Sequence, residues 1–240
     1  MSNLQLMAQP IGDSLLPDRL FQTYYRLEKE YDFTNKWQSL DEQQIWKELC
    51  FCLLSGNVAY ELVKSTVNVL EQKGFLDYRW IVTEKESQYR IFDLFNGSNF
   101  EPKKKNGELR KYRYPKKRSQ EIAKAAKIIY SKSSIKELLD KPISEVEARN
   151  FLAKNIPGLG IKESSHFLRN IGYSNSLAII DVHVLNFLKQ NRFVTWDNSS
   201  LTTKKYCKLE IILQNLAEFH NLDLSIFDLA IWYYMRSNVP

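Results

Sequence analysis

Residues 151–188 read FLAKNIPGLGIKESSHFLRNIGYSNSLAIIDVHVLNFL. A helical run ends near Asn155. Ile156-Pro157-Gly158-Leu159-Gly160 follows, and a second helix begins around Ile161–Lys162. Gly158 and Gly160 sit at the bend, just before a helix N-terminus, and leave backbone N–H groups uncovered by any Cβ. Such donors, at the positive end of a helix dipole, suit a phosphate. A lone GxG is equally a plain turn. Between two amphipathic helices and near a basic stretch, the pattern reads as a sequence-independent grip on a nucleic-acid backbone.

Lys162 falls in the first turn of the second helix, where the dipole opposes a cation. Local helix energetics give no reason for it, and the same field favours the neutral amine that a nucleophilic lysine needs. The bland alternative is an exposed lysine touching phosphate. Asp181 follows 19 residues later, between Ala178-Ile179-Ile180 and a helical VHVLNFL. That is an N-cap position, worth ~1 kcal/mol as a cap alone. A carboxylate there can be both cap and catalyst. His183, in the first turn of that helix, is either a phosphate donor or a surface histidine.

Working outward, helical periodicity dominates. Leu20, Tyr24, Leu27 and Tyr31 form one apolar stripe. Ser39 with Glu42 has capping-box spacing before IWKELCFCLL, a segment apolar nearly all round and hence a central helix. Ser55-Gly56-Asn57 breaks it. Helix resumes over 58–73, with Gly74 as the stop. Aromatic-rich 78–95 is expected to hold short strands, and 96–107 a flexible loop. Helix restarts near Ser119. Ser134 with Glu137 and Ser144 with Glu147 look like further capping boxes. Later helices are expected at about 182–191, 203–220 and 226–236. No strand series able to build a sheet and no internal repeat is present, so the fold class is mostly α.

The length, 240 residues, allows one large domain or two small ones, with a core that needs no staples. Apolar residues at 44% and charged residues at 26% exclude disordered and collagen-like classes. No apolar run approaches the ~18 residues of a membrane span, and the first twenty residues lack the basic and apolar regions of a signal peptide. Cys50, Cys52 and Cys207 form no CxxC or Cys/His spacing, which disfavours disulfides, zinc and iron–sulfur clusters. Cys50 and Cys52, inside LCFCLL, are expected to be buried thiols, and an intracellular location is expected, cytoplasm or nucleoid if the source is prokaryotic. The net charge of +6 is local: residues 101–118 carry nine Lys/Arg against two Glu, and the other 222 residues carry 25 basic and 26 acidic groups. One basic stretch on a near-neutral body suggests a polyanion contact, and a solvated loop is the plain alternative.

PGLGIK followed 19 residues later by IDVH resembles the helix-hairpin-helix DNA glycosylase superfamily. More narrowly, GIKESSHFLRNIGY and AIIDVHVL, together with ELCFCLLSGNVA, YRYPKKRSQEIAKAA and FDLAIWYYMRSN, resemble the type-2 8-oxoguanine DNA glycosylase/AP lyases. These segments span most of the chain outside the first twenty residues and about 79–110. The resemblance implies an enzyme that flips an oxidised guanine from duplex DNA. In it, Lys162 attacks the sugar carbon bearing the base, Asp181 assists its deprotonation and stabilises charge on the sugar, and a Schiff base then permits β-elimination. No cofactor and no metal is implied. The implied fold has a two-lobed helical architecture with a DNA-binding cleft and the hairpin, about 156–162, at the junction. One lobe is 55–172; the other combines 1–54 with 173–240. Lys162 and Asp181 would approach from opposite sides. Trp232 matches an aromatic that stacks on the flipped base, and Asp228 a lesion-contacting carboxylate; a core tryptophan and a capping aspartate (Ser225 with Asp228) are the plain readings. Asn57 is a candidate wedge for the vacated base position, or a simple turn residue.

Two features depart from that class. Its members typically end in a lysine whose carboxylate helps recognise the lesion, whereas nothing basic follows Arg236 here. Either the natural chain runs on or recognition differs. The basic loop around 96–113 also looks longer than usual, and Lys103, Lys104 and Lys105 are expected to contact phosphates. The expected partner is double-stranded DNA containing a damaged base, with no membrane and with the protein a monomer. A glycosylase/lyase for another oxidised base, and a non-catalytic helix-hairpin-helix DNA-binding module, are the alternatives.

Overall fold

The computed structural model describes residues 16–33, 36–195 and 201–237. The first fifteen residues and the last three, where the chain-end question falls, lie outside that description. Among the described residues there are twelve helices. In chain order they are α1 (Asp18–Glu30), α2 (Glu42–Ser55), α3 (Tyr60–Gln72), α4 (Tyr78–Thr83), α5 (Ser87–Asn96) and α6 (Pro115–Tyr130). Then come α7 (Ile135–Leu139), α8 (Glu145–Asn155), α9 (Ile161–Asn170), α10 (Val182–Gln190), α11 (Thr203–Phe219) and α12 (Leu224–Ser237). Among the described residues Phe100 and Arg110 form an isolated antiparallel bridge. The fold is mostly α, and no described helix is long and apolar enough to cross a membrane.

The chain divides into two compact units, Lys36–Ile171 and Met1–Asn35 with Gly172–Pro240. The boundary expected at 54/55 therefore moves to 35/36. The reason is α2, which packs against α3, α6, α7 and α9 and cannot be separated from them. It buries Ile45, Trp46, Leu49, Cys50, Cys52, Leu53 and Leu54, as its all-round apolar sequence requires. Its cap is Asp41, not Ser39. Asp41 accepts the Gln44 N–H at 2.7 Å while the Gln44 side chain accepts the Asp41 N–H at 2.8 Å. Ser39 instead donates its hydroxyl to Lys36 O in the preceding turn.

Residues 78–95 are not strands. α5 buries Ser87, Ile91 and Phe95, a spacing of four that makes one helical face, and α4 and α5 both pack on α6. Burial of that face overrides the β-preference of the aromatics. α6 begins at Pro115 rather than near Ser119, with proline in its first turn, where the missing N–H has no intrahelical partner to lose. Ser134 and Ser144 do cap α7 and α8, each accepting the N–H of the glutamate three residues on.

In the other unit, α12 packs on α1, α10 and α11. Leu20, Tyr24 and Leu27 line the buried face of α1, while Tyr31 lies beyond its end and is exposed. The start of α12 is capped by Asp223, which accepts the Ile226 N–H and the Ser225 hydroxyl. The Ser225–Asp228 spacing is therefore not a capping box, because Asp228 is one turn inside the helix and points into the core.

Candidate functional site

In the central unit, α8 ends at Asn155, and the N–H of Ile156 still bonds Leu152 O at 2.9 Å. Ile156 and Leu159 are buried and pin the turn from below. Gly158 has φ +89, and a Cβ there would lie 2.8 Å from Leu53 Cδ2 and Glu121 Cδ. Both backbone and space demand glycine. Gly160 is different: it is the extended N-cap of α9, and no side chain caps that helix. The first-turn N–H groups of α9 thus carry the dipole charge without a side-chain acceptor.

Lys162 stands on this first turn with its side chain 24% exposed, and its Nζ lies 3.8 Å from Glu163 Oε1. Behind it is a polar cluster that sequence reasoning did not single out. Glu48 accepts from Asn170 Nδ2 at 2.8 Å and from the Cys52 thiol at 3.8 Å. Burial is the largest influence on this carboxyl and pushes it above the usual carboxylate range, against the pull of its hydrogen bonds and of Arg169. His166, one turn after Lys162, is held well below the usual imidazole range by burial and then by the charges of Arg169 and Lys162. The imidazole is therefore neutral. The i, i+4 spacing of Lys162 and His166 was the signal available in the sequence.

The second unit presents Asp181. Residues 177–180 form a buried segment without regular secondary structure, whose backbone is bonded by side chains of two helices. Glu210 accepts the Ala178 N–H at 3.1 Å, and Tyr206 donates to Ala178 O at 2.7 Å and accepts the Ile180 N–H at 3.2 Å. Asp228 accepts the Ile179 N–H at 2.8 Å. This segment delivers Asp181 to the N-cap of α10, where Oδ1 accepts the N–H groups of His183 and Val184 at 2.8 and 2.9 Å. One oxygen thus caps the helix. Asp228 is only 2% exposed, so its observed work is structural.

His183 lies edge-on to Trp232, with ring centroids 6.2 Å apart, and the Arg236 guanidinium sits over the Trp232 ring at 4.3 Å. Elsewhere in the central unit, Asn57 takes a left-handed conformation, φ 57, at the turn after α2. Lys103, Lys104 and Lys105 are exposed, and Lys104 pairs with Glu108 at 3.0 Å. Of the arginines of the basic stretch, Arg110 and Arg113 are exposed but bond backbone carbonyls, and Arg118 alone is buried. Arg110 donates to Pro102 O and Arg113 to Asn57 O, while Arg118 is buried against Glu121 at 2.7 Å.

The family described as 8-oxoguanine DNA glycosylase, of the Ogg helix-hairpin-helix type, matches residues 86–222, more than half of the chain. The 8-oxoguanine DNA glycosylase/AP lyase of Methanocaldococcus jannaschii is 35% identical over 214 residues, 89% of each chain. That of Korarchaeum cryptofilum is 32% identical over 82% of this chain and 83% of its own. The crystal structure of the M. jannaschii glycosylase/lyase in complex with 15mer DNA containing 8-oxoguanine superposes with a TM-score of 0.68, at 28% identity, over 93% of this chain and 92% of that one. The 8-oxoguanine DNA glycosylase of Thermotoga maritima gives a TM-score of 0.67 at 27% identity, over 92% and 98%. With its glycine-bent hairpin, its first-turn lysine and these similarities along nearly the whole chain, the protein belongs to the 8-oxoguanine DNA glycosylase family.

Proposed function

We propose that this protein excises 8-oxoguanine from duplex DNA and nicks the resulting abasic site through a Schiff base on Lys162. The observation that carries the reading is the hairpin. Gly158 bends the chain, α9 opens without a side-chain cap, and Lys162 stands on its first turn. Hairpin N–H groups grip phosphate, which fixes the strand while the damaged nucleotide turns out of the stack.

The Lys162 amine, once its proton has gone to a carboxylate, attacks C1′ of the sugar. The C1′–N bond to the base breaks and the base leaves with the electron pair. Ring opening gives an imine between Nζ and C1′. Loss of a C2′ proton then expels the 3′ phosphate, breaking its C–O bond. Asp181 is the assigned proton acceptor and the countercharge to the cationic sugar; one of its oxygens holds the helix N-terminus while the other remains available to the reaction. Trp232 is the assigned stacking platform for the extruded base, with His183 at its edge, and Asn57 the wedge. One copy of the chain carries every group this chemistry uses, so a monomer is sufficient, working at the DNA of the nucleoid if the source is prokaryotic.

The test is a set of duplexes, each carrying one oxidised base, assayed separately for base release and strand nicking. Both products from 8-oxoguanine are expected. Asp181→Asn, which preserves the cap, should slow release about 10²–10⁴-fold while duplex binding persists. Binding without release from any lesion would leave only a DNA-binding module.

A further inference from the structure

The carbonyl groups at the end of α2 are held by side chains from the segment that the charge pattern marks as basic. Tyr112 donates to Leu54 O at 2.6 Å, and Arg113 Nη1 donates to Asn57 O at 2.6 Å. Arg118 lies against Gly56, where any Cβ would collide with its guanidinium. Arg118 also lies beside the Tyr112 hydroxyl and pairs with Glu121, whose carboxylate presses on Gly158 in the hairpin. A chain of contacts thus runs from Asn57 through Arg113, Tyr112 and Arg118 to Glu121 and Gly158. At the buried Arg118 position arginine suits and lysine does not, because a planar fork makes directed bonds while buried. The lysines of the same stretch stay outside.

We infer that Arg113 and Arg118 are positioning residues. They fix the Gly56–Asn57 turn against the hairpin, so that the wedge enters the duplex in register with the strand the hairpin grips. Arg118, buried and paired with Glu121, is not spent on phosphate, and Arg113 commits Nη1 to the Asn57 carbonyl. This inference rests on the proposed excision reaction and on Asn57 as its wedge. Its physical content is a constraint: a left-handed turn with three bonded or covered residues cannot drift, and a misplacement of ~1 Å at a reacting geometry lowers a rate about 10²-fold.

Two substrates separate the roles. A paired 8-oxoguanine has to be unstacked, whereas a preformed abasic site has no base to extrude. Arg113→Gln, at an exposed position where the fold tolerates change, and Arg118→Lys are compared with wild type on both. The expected result is a fall in single-turnover excision, about tenfold to 10²-fold greater than any fall in abasic-site nicking. 2-Aminopurine placed beside the lesion should lose its unstacking fluorescence rise in step. Combining Arg113→Gln with Asn57→Ala should be no worse than Asn57→Ala alone. Equal losses on both substrates, no loss on either, or additive effects in the double variant would overturn the inference. A loss that appears instead as weaker duplex affinity, with a salt slope lower by about one, would assign Arg113 to phosphate and overturn it too. Should wild type itself nick neither substrate, the excision reading fails before the arginines are reached.

Discussion

Asp228 reaches from α12 to accept the backbone N–H of Ile179 at 2.8 Å, two residues before Asp181. The site carboxylate is therefore held by a side chain buried one layer below it. Asp228→Ala leaves a buried N–H unpaired and is expected to lower stability by about 1–3 kcal/mol. Asp228→Asn keeps an acceptor and should lose less. Denaturant melts of the two variants check this, and equal stability of Asp228→Ala and wild type would contradict it.

The two hairpin glycines should respond differently to alanine. At Gly158 the left-handed φ and the contacts to Leu53 and Glu121 make Gly158→Ala destabilising by about 1–3 kcal/mol, with weakened duplex binding. At Gly160 the backbone is extended, and the nearest obstacle is Glu163 Oε2 at 3.0 Å, the movable end of a side chain. Gly160→Ala should change stability by less than about 0.5 kcal/mol. Thermal melts and duplex titrations separate the two.

His166 gives the protein an acid-sensitive component. Its folded form stays neutral well below the ordinary pKa of 6.5 because of burial and the neighbouring Arg169 and Lys162 charges. Below 6.5 the unfolded chain binds a proton that the folded chain does not, so this contribution is whole above 6.5 and is lost as the pH falls. Glu48, raised by burial, acts in the opposite sense: above its ordinary 4.5 the folded form keeps a proton that the unfolded one sheds. Melting temperature against pH should therefore fall less steeply between about pH 6.5 and 5 in His166→Gln than in wild type. Parallel curves would remove His166 as the cause.

Much of this was legible from the chain alone. Pro157 and Gly158 mark the bend, Gly74 with φ +71 ends α3, and Asp181 caps α10. What misled the reading was local preference without tertiary context. Tyr89, Phe92 and Phe95 have strand preference, yet Ser87, Ile91 and Phe95 lie at helical spacing, and their burial decides the matter. Asp41 with Gln44 and Ser39 with Glu42 are both capping spacings, two residues apart, and sequence alone does not rank them. Net charge counted Arg110, Arg113 and Arg118 with the lysines, because a charge count has no direction. Arg110 bonds Pro102 O within its own loop, and the contacts of Arg113 with Asn57 and of Arg118 with Gly56 exist only once α2 and α6 are assembled.

The exposed lysines are the main part of that charge left for DNA. Replacing Lys103, Lys104 and Lys105 together by Ala should lower duplex affinity for damaged and undamaged DNA alike, and reduce the slope of log affinity against log salt by about 2–3. Catalysis at saturating enzyme should persist. An unchanged slope would return the loop to a solvated role.

The account depends most on the Lys162 amine, which borohydride reduction interrogates directly. An 8-oxoguanine duplex is incubated with wild type and with Lys162→Gln in the presence of borohydride, and covalent complexes are resolved by size. Wild type is predicted to form a stable protein–DNA adduct whose modified peptide contains Lys162, and Lys162→Gln to form none while still binding the duplex. An adduct in Lys162→Gln of the same yield as wild type would place the nucleophile elsewhere and contradict the proposed chemistry.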